Sequence, residues 1–214
     1  MSATTEDLNR YPARLDIDFP DRGLDRLATF LRLIYAIPIV VLLTLLSGSA
    51  FGDSSGEGGS MGALGAGVLV APVLLMVLFR QKYPRWWFDF HLQLARFSTR
   101  VMSYLALMSD RYPSTDEEQS VHLDLDYPNV KQDLNRWLPL VKWLLAIPHY
   151  FVLVLLSIAA FFGVLFAWFA IIFTGRYPRG IFEFVESVLR WGLRVDAYAF
   201  LLITDRYPPF RLAS

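Results

Sequence analysis

The sequence contains no cysteine, which removes disulfides, thiolate nucleophiles and Cys-ligated zinc or iron–sulfur centres. It is also short of charge. Asp, Glu, Lys and Arg make up 19% of 214 residues, against about a quarter in an ordinary soluble domain. Acidic and basic residues balance at 20 each, so no basic excess calls for nucleic acid, and no such partner is expected. No phosphate loop, dinucleotide fingerprint, HExxH pair or nucleophile elbow is present. No acid and base are paired inside an apolar run. The expectation is therefore a protein that is not an enzyme, with no catalytic residue and no cofactor. The first thirty residues lack a charged start followed by an apolar run and a small-residue cleavage site, so no cleaved signal peptide is expected.

What the chain does have is apolar sequence: 55% hydrophobic and 15% aromatic residues, with a mean hydropathy of +0.39. One apolar run covers about residues 27–47 and a second about 61–79. Between them Gly48–Gly67 holds eight of the 13 glycines and reads as a loop. From Trp143 to Phe173 there are 31 residues without a formal charge. A span takes about 20 apolar residues, so this stretch with Trp137–Val141 upstream reads as two spans, about 138–157 and 159–175, joined by a turn near Ser157–Gly163. Every Lys and Arg falls in residues 1–32, 80–142 or 175–214. Four crossings put all of them on one face, which the positive-inside bias makes cytoplasmic, with both termini. A single long helix over 143–173 would instead carry six arginines across.

The sequence also repeats itself. Leu15-Asp16-Ile17-Asp18-Phe19-Pro20 answers Leu123-Asp124-Leu125-Asp126-Tyr127-Pro128. Ala36-Ile37-Pro38 answers Ala146-Ile147-Pro148, Lys82-Tyr83-Pro84-Arg85 answers Arg176-Tyr177-Pro178-Arg179, and Asp110-Arg111-Tyr112-Pro113 answers Asp205-Arg206-Tyr207-Pro208. The expected fold class is an all-α integral membrane protein of two tandem parallel repeats. Each is a two-helix transmembrane hairpin plus a cytoplasmic-side amphipathic interfacial helix, preceded by a short extended strand. The boundaries are a polar tail at 1–11, repeat 1 at 12–113 with its interfacial helix at about 85–108, a linker at 114–119, and repeat 2 at 120–210 with its interfacial helix at about 179–203. Pro38 and Pro148 sit inside apolar runs and should kink them. Arg96 and Arg100, and Arg190 and Arg194, lie on the polar stripes of the amphipathic helices. Tyr83, Tyr112, Tyr177 and Tyr207, with Trp86 and Trp191, fit anchors at headgroup level.

Ala146-Ile147-Pro148-His149, Phe173-Thr174-Gly175-Arg176-Tyr177-Pro178-Arg179-Gly180, Leu189-Arg190-Trp191 and Asp205-Arg206-Tyr207-Pro208-Pro209-Phe210 resemble a bacterial membrane family known as domain of unknown function 4389. The resemblance covers about residues 120–210, and about 12–113 as a more degenerate copy. It implies a bacterial cytoplasmic-membrane protein and supplies no activity.

Three side-chain sets remain. Asp16, Asp18, Asp124 and Asp126, with His122, would gather carboxylates for Ca²⁺ or Mg²⁺ if the two extended pieces paired. The blander reading, a solvated ribbon face neutralised by Arg14 or Arg22, is the stronger. His149 is polar at depth, a place for proton transfer or haem; bonding a freed backbone carbonyl beside the proline is the simpler role. Arg96, Arg100, Arg190 and Arg194, joined by Arg111 and Arg206, would hold anionic lipid headgroups or an acidic partner, against plain snorkelling and a Glu186–Arg190 pair. Gly62, Ala63, Ala66 and Gly67 would admit a close helix neighbour. The leading expectation is an accessory or scaffold subunit of a membrane complex, partnered by another membrane protein or by its own copies in a bilayer of anionic phospholipid. Alternatives are a lipid-binding, membrane-shaping protein whose hairpins dip in without crossing, and an oligomeric channel or transporter component.

Overall fold

The computed structural model describes residues 11–20, 23–46, 69–115, 117 and 119–212. The Gly-rich loop, most of the polar tail, Arg22 and the small residues at 62–67 lie outside them.

The chain opens on strand β1 (Ala13–Ile17). Its alternation buries Ala13, Leu15 and Ile17 and exposes Arg14 and Asp16. It pairs antiparallel with β2 (Val121–Leu125), Leu15 opposite Leu123. The two extended pieces thus meet as a two-stranded ribbon. Five long or apolar helices carry the rest: α1 (Arg26–Leu46), α2 (Leu69–Arg80), α3 (Arg85–Leu105), α6 (Ile147–Thr174) and α7 (Arg179–Ala199). Short helices α4 (Val130–Asp133) and α5 (Pro139–Leu145) connect β2 to α6. Pro84 and Pro178 stand at the N-caps of α3 and α7 in extended conformation. A proline costs nothing there, because those N–H groups have no helical partner. Glycine at 175 takes the left-handed conformation that ends α6, and Gln81 takes the same conformation, with strain, at the end of α2.

Two expectations are corrected here. Spans at 138–157 and 159–175 with a turn between them are not found: α6 runs unbroken through Ser157–Gly163. Nothing in Leu155-Leu156-Ser157-Ile158-Ala159-Ala160-Phe161-Phe162-Gly163 forces the backbone out of helical angles. The glycine there instead admits Ile181 of α7, whose Cγ2 lies 3.2 Å from where a Cβ would stand. Pro148 does not kink a helix; it occupies the first turn of α6, after a break at Ala146. Pro38 does bend α1. Arg26–Arg32 and Ile34–Leu46 meet at 49°, where a proline ring clashes with the carbonyl four residues back.

The molecule has three layers. The ribbon lies on α3 and α7, crosswise: β2 packs on α3 and β1 on α7. Beyond them, α1 packs against α3, α6 against α7, and α1 against α6. The core runs from Leu15, Ile17, Val121 and Leu123 through Phe88, Phe182 and Val185 to Val73, Ala167 and Ile171. Contacts come in matched pairs. Asp18 N–H bonds Ser120 O, and Asp126 N–H bonds Pro12 O. Leu27 N–H bonds Asp25 Oδ1, and Trp137 N–H bonds Asn135 Oδ1, both at 3.0 Å.

Candidate functional site

The arginine stripes face the ribbon. Arg96 donates from Nε to Leu123 O, and Arg190 from Nε to Leu15 O, both at 2.8 Å. These two carbonyls belong to the residues paired at the centre of the ribbon. Arg96 also meets Asp124, and Arg190 bonds Glu186 one turn away, the i,i+4 pair expected. Burial pushes the Glu186 carboxyl up, while Arg190 and the Ile17 N–H hold it down. Arg100, buried, donates to Ser114 O. Arg194 is buried as well. So the stripes are not a headgroup-facing surface. Periodicity correctly placed these residues on one face, but a ribbon strand from the other half of the chain covers it. Arg111 and Arg206 remain exposed, each just past an amphipathic helix.

The aromatic anchors divide. Trp86, Tyr112 and Tyr207 are exposed. Tyr83, Tyr177 and Trp191 are interior. Tyr83 donates to Leu201 O and Tyr177 to Ala106 O, both at 3.2 Å, so each ties its own half to the turn after the other half's amphipathic helix. Burial raises both phenols well above their ordinary range. A second matched pair supports them. Arg32 bonds Tyr104 O and Asp110, and Lys142 bonds Thr204 O at 2.6 Å and Asp205 at 2.7 Å.

His149 is fully buried. Its Nδ1 accepts from Trp191 Nε1 at 3.2 Å, and the ring stacks on Phe210 at 3.9 Å. The expected backbone carbonyl partner is replaced by an indole. His91 and His122 lie elsewhere, in α3 and β2. Among the described residues no three His, Asp or Glu side chains stand close enough to hold a metal. The ribbon aspartates are spread along its outer face: Asp126 with Arg14, Asp124 with Arg96, Asp18 with His122, and Asp16 at 3.9 Å from Arg190.

A crevice of about 460 Å³ lies between α3 and α7, on the side away from the ribbon. Matched residues form its walls: Leu94 and Val188, Ala95 and Leu189, Ser98 and Gly192, Thr99 and Leu193, Met102 and Asp196. Leu69 and Val70 of α2, Leu153 and Ser157 of α6, and His91, Phe200 and Leu201 complete it. Asp196 is solvent-accessible on the crevice wall, and desolvation by the surrounding protein raises its carboxyl to about 7. Sequence reading missed this residue. The available signal was an aspartate where the matching position of the first half carries methionine, inside an apolar stripe.

Residues 137–211 match the family described as Domain of unknown function (DUF4389). The matched segment takes in α5, α6, α7 and the turn that follows, including His149, Tyr177, Arg190, Asp196 and Asp205. No curated protein and no solved structure matches the chain.

Proposed function

We propose that the protein is a non-catalytic, membrane-organising protein that lies in one leaflet of a bacterial cytoplasmic membrane, with α1 and α6 in the plane of the lipid and the ribbon in the cytoplasm. In this reading the chain is two tandem copies of one unit, the second being the stretch that resembles DUF4389.

The observation that carries it is how α6 is held. Among the described residues one unbroken helix, Ile147–Thr174, is long and apolar enough to cross a membrane, and little of it is buried in the protein. Phe151, Val154, Ile158, Phe162, Phe166 and Phe173 form an exposed apolar stripe down its length. At about 1.5 Å per residue it is about 42 Å long. Yet both of its ends are tied to the same body. Gly175 O accepts from Leu24 N–H at one end, and His149 packs under Trp191 and Phe210 at the other. Amphipathic α7 runs antiparallel beside it, Ile181 near Gly163 and Trp191 near His149. A perpendicular α6 would carry α7, Glu183, Glu186 and the charged ribbon face to bilayer depth. Charges there cost several kcal/mol each. A helix lying flat buries its apolar stripe and leaves the ribbon in water.

Cationic side chains sit where such an orientation needs them. Arg26 lies beside Gly175 at the end of α6, with exposed Arg176 and Arg179 following. Arg136 donates to Leu78 O at the end of α2, with exposed Lys82 and Arg85 following. These two corners, rather than the buried stripes, suit anionic phospholipid headgroups.

The test uses single cysteines, which the native sequence leaves free to introduce, at Phe151, Ile158, Leu165 and Phe173, each carrying a fluorophore. Quenching by lipids spin-labelled at graded depths in anionic vesicles should give one shallow depth for all four positions. A profile deepest at Ile158 and shallow at both ends would mean a crossing helix and would sink the in-plane reading. Labels that no lipid quencher reaches would favour the accessory-subunit alternative, with protein covering the stripe.

A further inference from the structure

We propose that the crevice between α3 and α7 binds a long-chain primary amine, the ammonium held at the Asp196 end and the alkyl chain lying along the apolar walls. The inference goes beyond the membrane reading and needs it only for the ligand's route of entry.

Tyr83 OH gives its one proton to Leu201 O, so its contact with His91 Nδ1 at 3.2 Å has the imidazole donating. That fixes the proton of neutral His91 on Nδ1 and leaves Nε2 a bare acceptor. Burial lowers the His91 pKa, so the ring stays neutral and supplies no counter-charge. Ser98 and Thr99 both spend their hydroxyl protons on Ala95 O. Among the described residues Asp196 has no salt bridge and no side-chain hydrogen bond. Tyr150 on α6 feels its charge without bonding it. The residues contributed by α2 are apolar. Among the described residues the site therefore presents a carboxylate, an imidazole nitrogen and hydroxyl oxygens, all acceptors, against two uncommitted donors, Ser157 in the lining and the Tyr150 phenol near Asp196.

His91 and Asp196 line the same crevice, and their elements are joined through Leu201: Tyr83 links the His91 ring to Leu201 O, and Leu201 N–H bonds the main-chain carbonyl of Asp196 at 2.8 Å. A carboxylate and an imidazole lone pair beside an apolar hollow, with no cation in the lining among the described residues, form the complement of a group carrying positive charge and several N–H donors. A primary ammonium has three. A fatty acid would place like charge against Asp196; an alcohol offers one donor and no charge. The volume is that of an ordinary small-molecule pocket, and its shape is mostly apolar with a few convergent polar groups.

The experiment is photolabelling of the full chain in phosphatidylcholine nanodiscs with a diazirine-bearing dodecylamine. Dodecylamine, dodecanol and dodecanoate serve as competitors, and labelled peptides are mapped by mass spectrometry. Labels should fall on Leu94–Met102 and Val188–Leu201. Dodecylamine should compete at least tenfold better than dodecanol, and dodecanoate worst of all. Asp196→Asn should erase the preference for amine over alcohol while leaving flotation with vesicles intact. A second measurement needs no variant: protection by the primary amine should exceed that by dodecyltrimethylammonium, which has the charge but no N–H. Equal competition by amine and alcohol in the native chain, or labels confined to the outer faces of α1 and α6, would overturn the proposal. A chain that floats with vesicles but shows no amine preference removes this inference and keeps the membrane reading; a chain that prefers amine but does not float does the reverse.

Discussion

Ionic contacts in this protein differ sharply in what they hold. Lys142 has no exposed surface; it gives one proton to Thr204 O, pairs with Asp205 and sits over the Tyr198 ring. Its removal strands a carboxylate that is only 20% exposed. Lys142→Met should therefore cost about 3–5 kcal/mol. The Arg14–Asp126 pair is more than half exposed on both sides, and Arg14→Ala should cost under about 1 kcal/mol. Denaturant melts followed by circular dichroism would separate the two. Asp196 makes a third case, through protons. Desolvation pushes its carboxyl up to about 7 in the folded chain, from about 3.9 when unfolded. The folded state therefore binds a proton that the unfolded state releases, and stability falls as pH rises from about 4 to about 7. Asp196→Asn should match the parent near pH 4 and melt at a higher temperature at pH 8. A difference that is flat with pH would show that the carboxyl is not desolvated.

At the scale of elements, a two-stranded ribbon has two open edges, which ordinarily invite further strands. Here the guanidinium groups of Arg96 and Arg190 occupy the central carbonyls, and Glu186 takes the Ile17 N–H. Arg190 and Glu186 are both nearly covered, whereas Arg96 is about a third exposed. Arg190→Ala should therefore speed hydrogen exchange at the β1 amides more than Arg96→Ala speeds it at β2. Helix packing gives another contrast. Gly192 has nothing within 4 Å of an added Cβ, so Gly192→Ala should stabilise α7 by about 0.5–1 kcal/mol. Gly163→Val should destabilise, because Ile181 already stands in the way. Thermal melts check both. Much of this level was legible beforehand. Alternating Leu15, Ile17 and Leu123, Leu125 gave strands, and Tyr-Pro-Arg gave the starts of α3 and α7. What was not legible was what lies against each face. A periodic arginine stripe reads the same whether water, lipid or a strand from a hundred residues away covers it. The covering strand is set by chain connectivity, which no local pattern encodes.

Over the whole molecule, the reasoning that failed was charge bookkeeping. It treated the arginines after residue 175 as forced across the bilayer by any unbroken helix, and so required a turn that α6 does not make. That holds only if a long apolar helix must cross. Once α7 returns along α6 and both ends of α6 are fastened to one body, charge on one side and an uninterrupted helix are compatible. In the proposed in-plane orientation the lipid contact is a broad face rather than a plug. Phosphatidylglycerol-containing vesicles should therefore bind the chain more tightly than phosphatidylcholine vesicles. Charge reversal of Arg26, Arg176 and Arg179 together should remove most of that difference. Vesicle flotation across salt concentrations would measure it, and no salt dependence would mean that the basic corners do not reach the headgroups.

The crosswise docking of the strands has a further consequence during synthesis. β1 leaves the ribosome first, but Leu15 waits for Arg190, 175 residues later. At about 5–20 residues per second that delay is on the order of ten to thirty-five seconds. β1 hangs unpaired until β2 emerges, and its open edge then waits further for Arg190. Two nascent chains held close on one messenger could meet this need for each other, β1 of one closing on α7 of its neighbour. Interlocked dimers formed in this way would be a by-product of crowded translation rather than of any surface the finished molecule presents.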